Sequence, residues 1–230
     1  KSLTLKEAME LQFKVVDCIT GEFEGNEILT RGDLGVIRNL NKPLTTLKVE
    51  KVIARLFDAE SCILVRGAGS GAIRSGLHAL FQCGDKVLVH KAPIYSTTKT
   101  SFDMLGLVPI EADFNRLSEI DAVLGTCPDV KGALIQYTRQ KIEDQYDIHE
   151  VIRRIKSLKN IPVLTDDNYV AMKVPDIGVQ CGADLSCFSA FKLLGPEGIG
   201  VIVGKNEYVE KLIKENYSGG MQVQGHEALD

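Results

Sequence analysis

Cys62-Ile63-Leu64-Val65-Arg66-Gly67-Ala68-Gly69-Ser70-Gly71-Ala72 is the stretch that decides the fold. An apolar, β-branched run passes through a glycine-rich turn into an amphipathic pattern over Ala72 to Phe81, which reads as strand, loop, helix. Downstream the same alternation repeats. Strands are predicted over Lys86–His90, Leu107–Glu111, Gly132–Gln136, Ile161–Thr165, Leu185–Ser189 and Gly200–Val203. Helical patterns over Ile94–Leu105, Leu117–Leu124, Ile148–Leu158 and from Glu207 lie between or after them. Short strands separated by helices of this length build βαβ units, so the expected fold class is α/β: a three-layer, mostly parallel sheet with helices on both faces. The strands are apolar throughout, as strands covered on both faces should be.

Upstream, Thr4-Leu5-Lys6-Glu7 has the spacing of a capping box, and Ala8, Leu11, Val15, Val16 and Ile19 follow at helical period, so a helix opens the chain and ends near Gly21. Gly25 to Thr46 is irregular, and a second amphipathic helix is predicted over Leu47–Phe57. These readings divide the chain into an N-terminal helix and arm (1–46), a large α/β domain (47–216) and a C-terminal segment (217–230).

Composition narrows the function. The 230 residues carry a net charge of −4, with 44% hydrophobic and 25% charged residues, the profile of an ordinary globular chain. A nucleic-acid binder needs a basic stripe, and the densest basic run, Arg153-Arg154-Ile155-Lys156, sits beside Glu150 on a predicted helix and reads as a solvated face. Apolar stretches fall far short of the roughly 18 residues that span a bilayer, and the first helix contains acids, unlike a signal peptide. The six cysteines show neither CxxC nor a metal-ligand rhythm, so no metal is expected and they read as buried small hydrophobes in a reducing cytoplasm.

The glycine loop allows two readings. A helix start with free N–H groups holds a phosphate, and glycines let the ligand approach the backbone; a purely structural tight turn uses the same residues. Gly67, Gly69 and Ala72 satisfy G-x-G-x-x-A, yet the next strand ends in His90-Lys91-Ala92 where a dinucleotide site needs an acid, and no G-K-[ST] is present.

Ligands of open parallel sheets bind beyond the carboxyl ends of the strands. Strand Ile161–Thr165 ends in Asp166-Asp167-Asn168, and Ser186-Cys187-Phe188-Ser189-Ala190-Phe191 delivers Lys192 into Leu194-Gly195-Pro196-Glu197-Gly198. An amine at an apolar strand end is set up to lose solvent, and an unprotonated amine is what a Schiff base requires. Pyridoxal phosphate chemistry asks for such a lysine, a carboxylate for the pyridinium nitrogen, a helix start for the phosphate and an aromatic ring to stack on the cofactor, which Tyr95 is placed to supply.

In these residues the chain resembles fold-type I pyridoxal-phosphate enzymes, in their class V aminotransferase-like and cystathionine-lyase-like branches, including a bacterial group of uncharacterised aminotransferase-like proteins. The resemblance runs from about Leu5 to His226. It implies that Lys192 carries the cofactor and shuttles the α-proton, that Asp167 pairs with the pyridinium nitrogen, and that Ser189 with Ala68, Gly69 and Ser70 holds the phosphate. Tyr95 matches the stacking ring. Asp166 is the alternative to Asp167, and the following Asn168 favours Asp167. It further implies a homodimer, and a smaller C-terminal domain following a chain that stops at Asp230, with 217–230 as the start of the connection to it.

The sequence departs from many relatives at Ile135-Gln136-Tyr137-Thr138-Arg139-Gln140, where Gln136 is a candidate to face the cofactor and Arg139 to bind a substrate carboxylate. His226 lies on a glycine-rich segment and is a third candidate for substrate contact, whereas His78, His90 and His149 read as structural. The expected activity is that of a pyridoxal-phosphate-dependent enzyme acting on an amino acid, an aminotransferase by resemblance. A lyase eliminating a β or γ substituent is the alternative, and a non-catalytic cofactor- or nucleotide-binding protein is the rival from another class.

Overall fold

A computed structural model describes residues 2–138, 141–216 and 220–230. Helix α1 (Leu5–Glu22) opens on the predicted capping box: the Glu7 N–H donates to the Thr4 hydroxyl at 3.3 Å and the Thr4 N–H to the Glu7 carboxylate at 2.7 Å. Helix α2 (Leu44–Leu56) begins before the predicted Leu47. Asp33 accepts from the N–H groups of Leu44 at 2.7 Å and Thr45 at 2.9 Å, a cap supplied from outside the helix that leaves no local spacing signal.

Among the described residues seven strands follow: β1 (Ser61–Arg66), β2 (Lys86–His90), β3 (Val108–Ala112), β4 (Val130–Gln136), β5 (Val163–Asp166), β6 (Leu185–Ser189) and β7 (Ile199–Gly204). Between and after them lie α3 (Ala68–Leu80), α4 (Ser96–Leu105), α5 (Leu117–Thr126), α6 (Ile148–Leu158), α7 (Asn206–Glu215) and α8 (Gly225–Leu229). Helix α3 starts at Ala68, not Ala72, so the glycine loop is the first turn of the helix itself. Gly67 makes this geometry available: at φ +94° it occupies the left-handed region that a side chain disfavours, and the N–H groups of Gly67 and Ala68 both donate to the Gly198 carbonyl at 2.9 and 3.0 Å. The glycines that follow are poor helix formers, which hid the early start.

The strands form a single sheet in the order β1-β7-β6-β5-β4-β2-β3. All described pairings are parallel except those of β7, which runs antiparallel to β6 and β1. The cause is connection length. Only a short 3-10 turn (Ala190–Leu193) and a glycine-rich stretch separate β6 from β7, too little for the crossover that parallel pairing demands. The turn carrying Lys192 is therefore the bend of a hairpin at the carboxyl end of β6.

Strand alternation sorts the core into layers. Ile63, Val89, Leu134, Leu164 and Ile202 point toward α3, α4 and α7, where they meet Ile73, Leu77, Phe102 and Leu212. Leu88, Ile135 and Val163 point to the opposite face against Ile120, Ile152 and Ile155 of α5 and α6, while Leu64, Phe188 and Val201 pack beneath α1 and α2. The middle strands β5, β6 and β7 are buried along their whole length. Each large side chain buried in this way contributes roughly 1.5–3 kcal/mol. Six parallel strands thus bring their carboxyl ends to one edge of a rigid sheet.

Candidate active site

A cavity of about 350 Å³ opens at that edge. Its walls come from the first turn of α3 (Ala68, Gly69, Ser70), the start of α4 (Tyr95, Thr97), the ends of β4 and β5 (Gln136, Asp166), and the turn after β6 (Ser189, Lys192). Seven residues singled out from the sequence therefore meet in one place: Ala68, Gly69, Ser70, Tyr95, Gln136, Ser189 and Lys192.

Period-2 alternation separates the two aspartates. Asp166 follows Leu164 on the α3 side of the sheet and lines the cavity, whereas Asp167 follows Thr165 on the other side and does not reach it. Asp167 is fully buried behind β5; its Oδ2 accepts from the Thr165 hydroxyl at 2.9 Å and the Gly178 N–H at 3.1 Å, and its Oδ1 has no hydrogen-bond partner. Burial pushes its carboxyl up to about 6, against those hydrogen bonds. The expectation that Asp167 faces the ligand thus gives way to Asp166. The Asn168 that favoured Asp167 belongs with Asp166 instead: its backbone N–H and its Nδ2 both donate to Asp166 Oδ1, at 3.1 and 2.8 Å.

Asn168 also knits the site together. Its Oδ1 accepts from the Ser189 N–H at 3.0 Å and its carbonyl from the Thr138 hydroxyl at 2.9 Å, so one side chain and its backbone join β4, β5 and β6 at their ends. A Cβ on Gly69 would overlap Asn168 Oδ1, so this close approach of helix start to strand end requires glycine. The Ala68 N–H is spent on Gly198; the Gly69 and Ser70 N–H groups are first-turn donors without an intrahelical acceptor. The Ser70 hydroxyl donates to that of Thr97 at 3.0 Å.

Lys192 is half-buried. Its amine donates to the Tyr169 hydroxyl at 2.9 Å and lies 4.2 Å from the centre of that ring and 5.4 Å from that of Phe191. Tyr169 sits at φ +70°, a left-handed conformation that is strained for a large side chain and characteristic of functional positions. Sequence reading missed Tyr169 together with Thr97, Phe191 and Glu197, all of which line the cavity. The available signal was position: Tyr169 closely follows a strand end, and Phe191 adjoins the lysine.

His226 is not brought to the cavity; it is exposed on α8, whose Glu227 forms a two-pronged ion pair with Arg66. Arg139 lies outside the described residues. The other three histidines each face an acid: His78 pairs with Glu215 at 2.9 Å, His149 with Asp176 at 3.6 Å and His90 with Asp144 at 3.0 Å. Because His90 Nδ1 accepts from the Phe114 N–H at 3.0 Å, its Nε2 carries the hydrogen and donates to Asp144. No group of metal-ligating side chains occurs, and no helix is long and apolar enough to cross a membrane, among the described residues.

This geometry suits a ligand with an anionic end and a cationic group. First-turn N–H groups and the positive end of α3 face one end of the cavity. In its wall Asp166 is buried, with its carboxyl raised by that burial and only partly relieved by Asn168, and no cation pairs with it among the described residues. Residues 44–227 match the family described as aminotransferase class-V.

The chain belongs to that family. It is 47% identical over 231 residues to the Escherichia coli K12 protein YhfS, described as uncharacterised, a match covering all of this chain and 63% of that protein. The crystal structure of YhfS, described as a pyridoxal-5'-phosphate dependent protein, superposes with a TM-score of 0.96 at 46% identity over the whole chain and 63% of its own length. A probable cysteine desulfurase of Ureaplasma parvum is 30% identical over 188 residues, covering 77% of this chain and 46% of that protein. A carbon-sulfur lyase involved in aluminum resistance from Clostridium novyi shares the fold, with a TM-score of 0.78 at 19% identity over 97% of this chain and 59% of its own. This class V chain thus spans about 63% of the length of the YhfS protein it matches.

Proposed function

We propose that the chain forms the cofactor site of a pyridoxal 5'-phosphate-dependent enzyme that acts on an amino acid, with transfer of the amino group as its reaction. The observation that carries the reading is the meeting, in one cavity, of the Lys192 amine, the buried Asp166 carboxylate and the first-turn N–H groups of α3. When bound, pyridoxal phosphate supplies an electron sink for the pair released as a bond to the substrate α-carbon breaks.

The chain's own residues supply the rest. Gly69 and Ser70 N–H groups, with Ser189, would hold the phosphate; Asp166 would pair with the ring nitrogen and keep it protonated; Tyr95 would cover a ring face. The Lys192 amine would hold the cofactor and would serve as the base that takes the substrate α-proton and returns it. Tyr169, as the hydrogen-bond partner of that amine at 2.9 Å, orients it and limits its excursions. Gln136 in the cavity wall, and Arg139, are proposed to meet the substrate.

Elimination of a β or γ substituent is the second reading, and the likeness to the Ureaplasma desulfurase favours a carbon–sulfur bond as the one cleaved. The same proton removal by Lys192 serves both reactions. Homodimeric assembly and a cytoplasmic setting belong to the same proposal, and sedimentation tests the first. To separate the reactions, amino acids are added singly to the full-length, cofactor-loaded protein. Conversion of the cofactor to its amine form with release of a keto acid supports transfer. Release of ammonia, sulfide or a thiol supports elimination, and no spectral response to any amino acid refutes both.

A further inference from the structure

We propose that the small pocket behind Asp166 is a built water site, in which an ordered water bridges the Thr98 hydroxyl and the Asp166 carboxylate and makes Thr98 a positioning residue for that carboxylate. The inference rests on the cofactor reading only for its functional consequence. The pocket itself is defined by the chain.

Its volume is about 30 Å³, enough for a water molecule and too small for a substrate. Val89, Ala92, Pro93, Ile94 and Leu134 make most of its wall apolar. Two polar groups break that surface. Thr98 is 3% exposed and its Oγ1 is buried with no hydrogen-bond partner. Asp166 lines this pocket and the main cavity alike, as does Gln136, so these two residues stand between them. Its described hydrogen bonds come from Asn168 and both fall on Oδ1, which leaves acceptor capacity on the carboxylate.

Of the other polar side chains at the wall, His90 and Tyr146 are already committed, and the Gln136 amide borders the same space. His90 uses Nδ1 on the Phe114 N–H and Nε2 on Asp144, and the Tyr146 hydroxyl donates to the Gln136 carbonyl at 2.6 Å. Thr98 therefore brings a buried hydroxyl without a partner, and Asp166 a carboxylate with acceptor capacity, to a space of water size that the Gln136 amide also borders. A water there donates to the carboxylate and satisfies the hydroxyl, meeting the rule that buried water sits where polar groups lack partners. Supporting the ionised form of Asp166 from behind strengthens its pairing with a cationic ring in front.

The test compares full-length wild type with Thr98→Val, Thr98→Ser and Thr98→Ala, using high-resolution crystal density in the pocket and the dissociation constant for pyridoxal phosphate. Expected are a water peak in wild type and Thr98→Ser, its loss in Thr98→Val, and binding weakened roughly ten-fold in Thr98→Val, about one hydrogen bond to a charged group. Thr98→Ser is expected to restore wild-type affinity, which a packing role for the methyl group would not. A dry pocket in wild type overturns the proposal, as does equal affinity of Thr98→Val and wild type. Failure of wild type to bind pyridoxal phosphate would refute the cofactor reading instead, while the density would still decide the water.

Discussion

Replacing Asp167 by asparagine separates the two adjacent aspartates by a quantity that has a definite sign. In the folded chain the Asp167 carboxyl is raised from 3.8 to about 6, because it is fully buried with one oxygen unpartnered. Between about pH 4 and pH 6 the folded protein holds a proton that the unfolded chain has released. Stability from this group is therefore fully present below pH 4 and is lost as pH rises to 6, after which the loss is constant. A shift of about 2 units at about 1.4 kcal/mol each makes the loss roughly 3 kcal/mol.

The amide in Asp167→Asn has no such proton to lose, and its oxygen still accepts from Thr165 and Gly178. Urea unfolding of wild type and Asp167→Asn without cofactor, at intervals from pH 4 to pH 8, reads the effect as a difference between the two profiles, to which the charge coupling with the adjacent Asp166 is a smaller contribution than burial. The variant is expected to gain on wild type by up to about 3 kcal/mol between pH 4 and pH 7. Parallel pH profiles would refute the reasoning, as would a variant losing ground as pH rises.

Three further outcomes are expected. Asp166→Asn should weaken pyridoxal phosphate binding ten- to a hundred-fold, as removal of a charged hydrogen-bond partner does, with Asp167→Asn close to wild type in the same titration. Gly69→Ala drives a Cβ into Asn168 Oδ1 and should cost about 1–3 kcal/mol in thermal or urea unfolding while loosening the cofactor. Tyr169→Phe removes the 2.9 Å bond to Lys192 and keeps the ring, so turnover should fall about ten-fold while cofactor affinity stays within two-fold.

What was legible in the sequence was whatever is written locally. The apolar runs and helical periods placed every strand and the seven longer helices of the described residues, and Thr4 and Glu7 fixed the first helix start to the residue. The antiparallel β7 follows from the shortness of the Ala190–Gly198 connection, a cue present in the sequence but drowned by the parallel rhythm around it. What could not be read was whatever depends on distant partners. The start of α2 hangs on Asp33, and that of α3 on the Gly198 carbonyl.

The Asp166 and Asp167 pair shows how one residue of register decides a role. A strand sends neighbours to opposite faces, so which aspartate meets the cavity depends on which face Leu164 and Val163 take, and both are apolar. Tyr169 was missed for a different reason: its position after a strand end was visible, but its approach to Lys192 is made by a left-handed turn that no sequence pattern announces.

The visible absorption of the purified full-length protein with pyridoxal phosphate, beside that of Lys192→Ala, puts the proposed role of the lysine on trial. The wild type should show the band of lysine-bound cofactor, and Lys192→Ala only the spectrum of the free or loosely held aldehyde. A wild type without that band, or a variant that retains it, would contradict the assignment of Lys192.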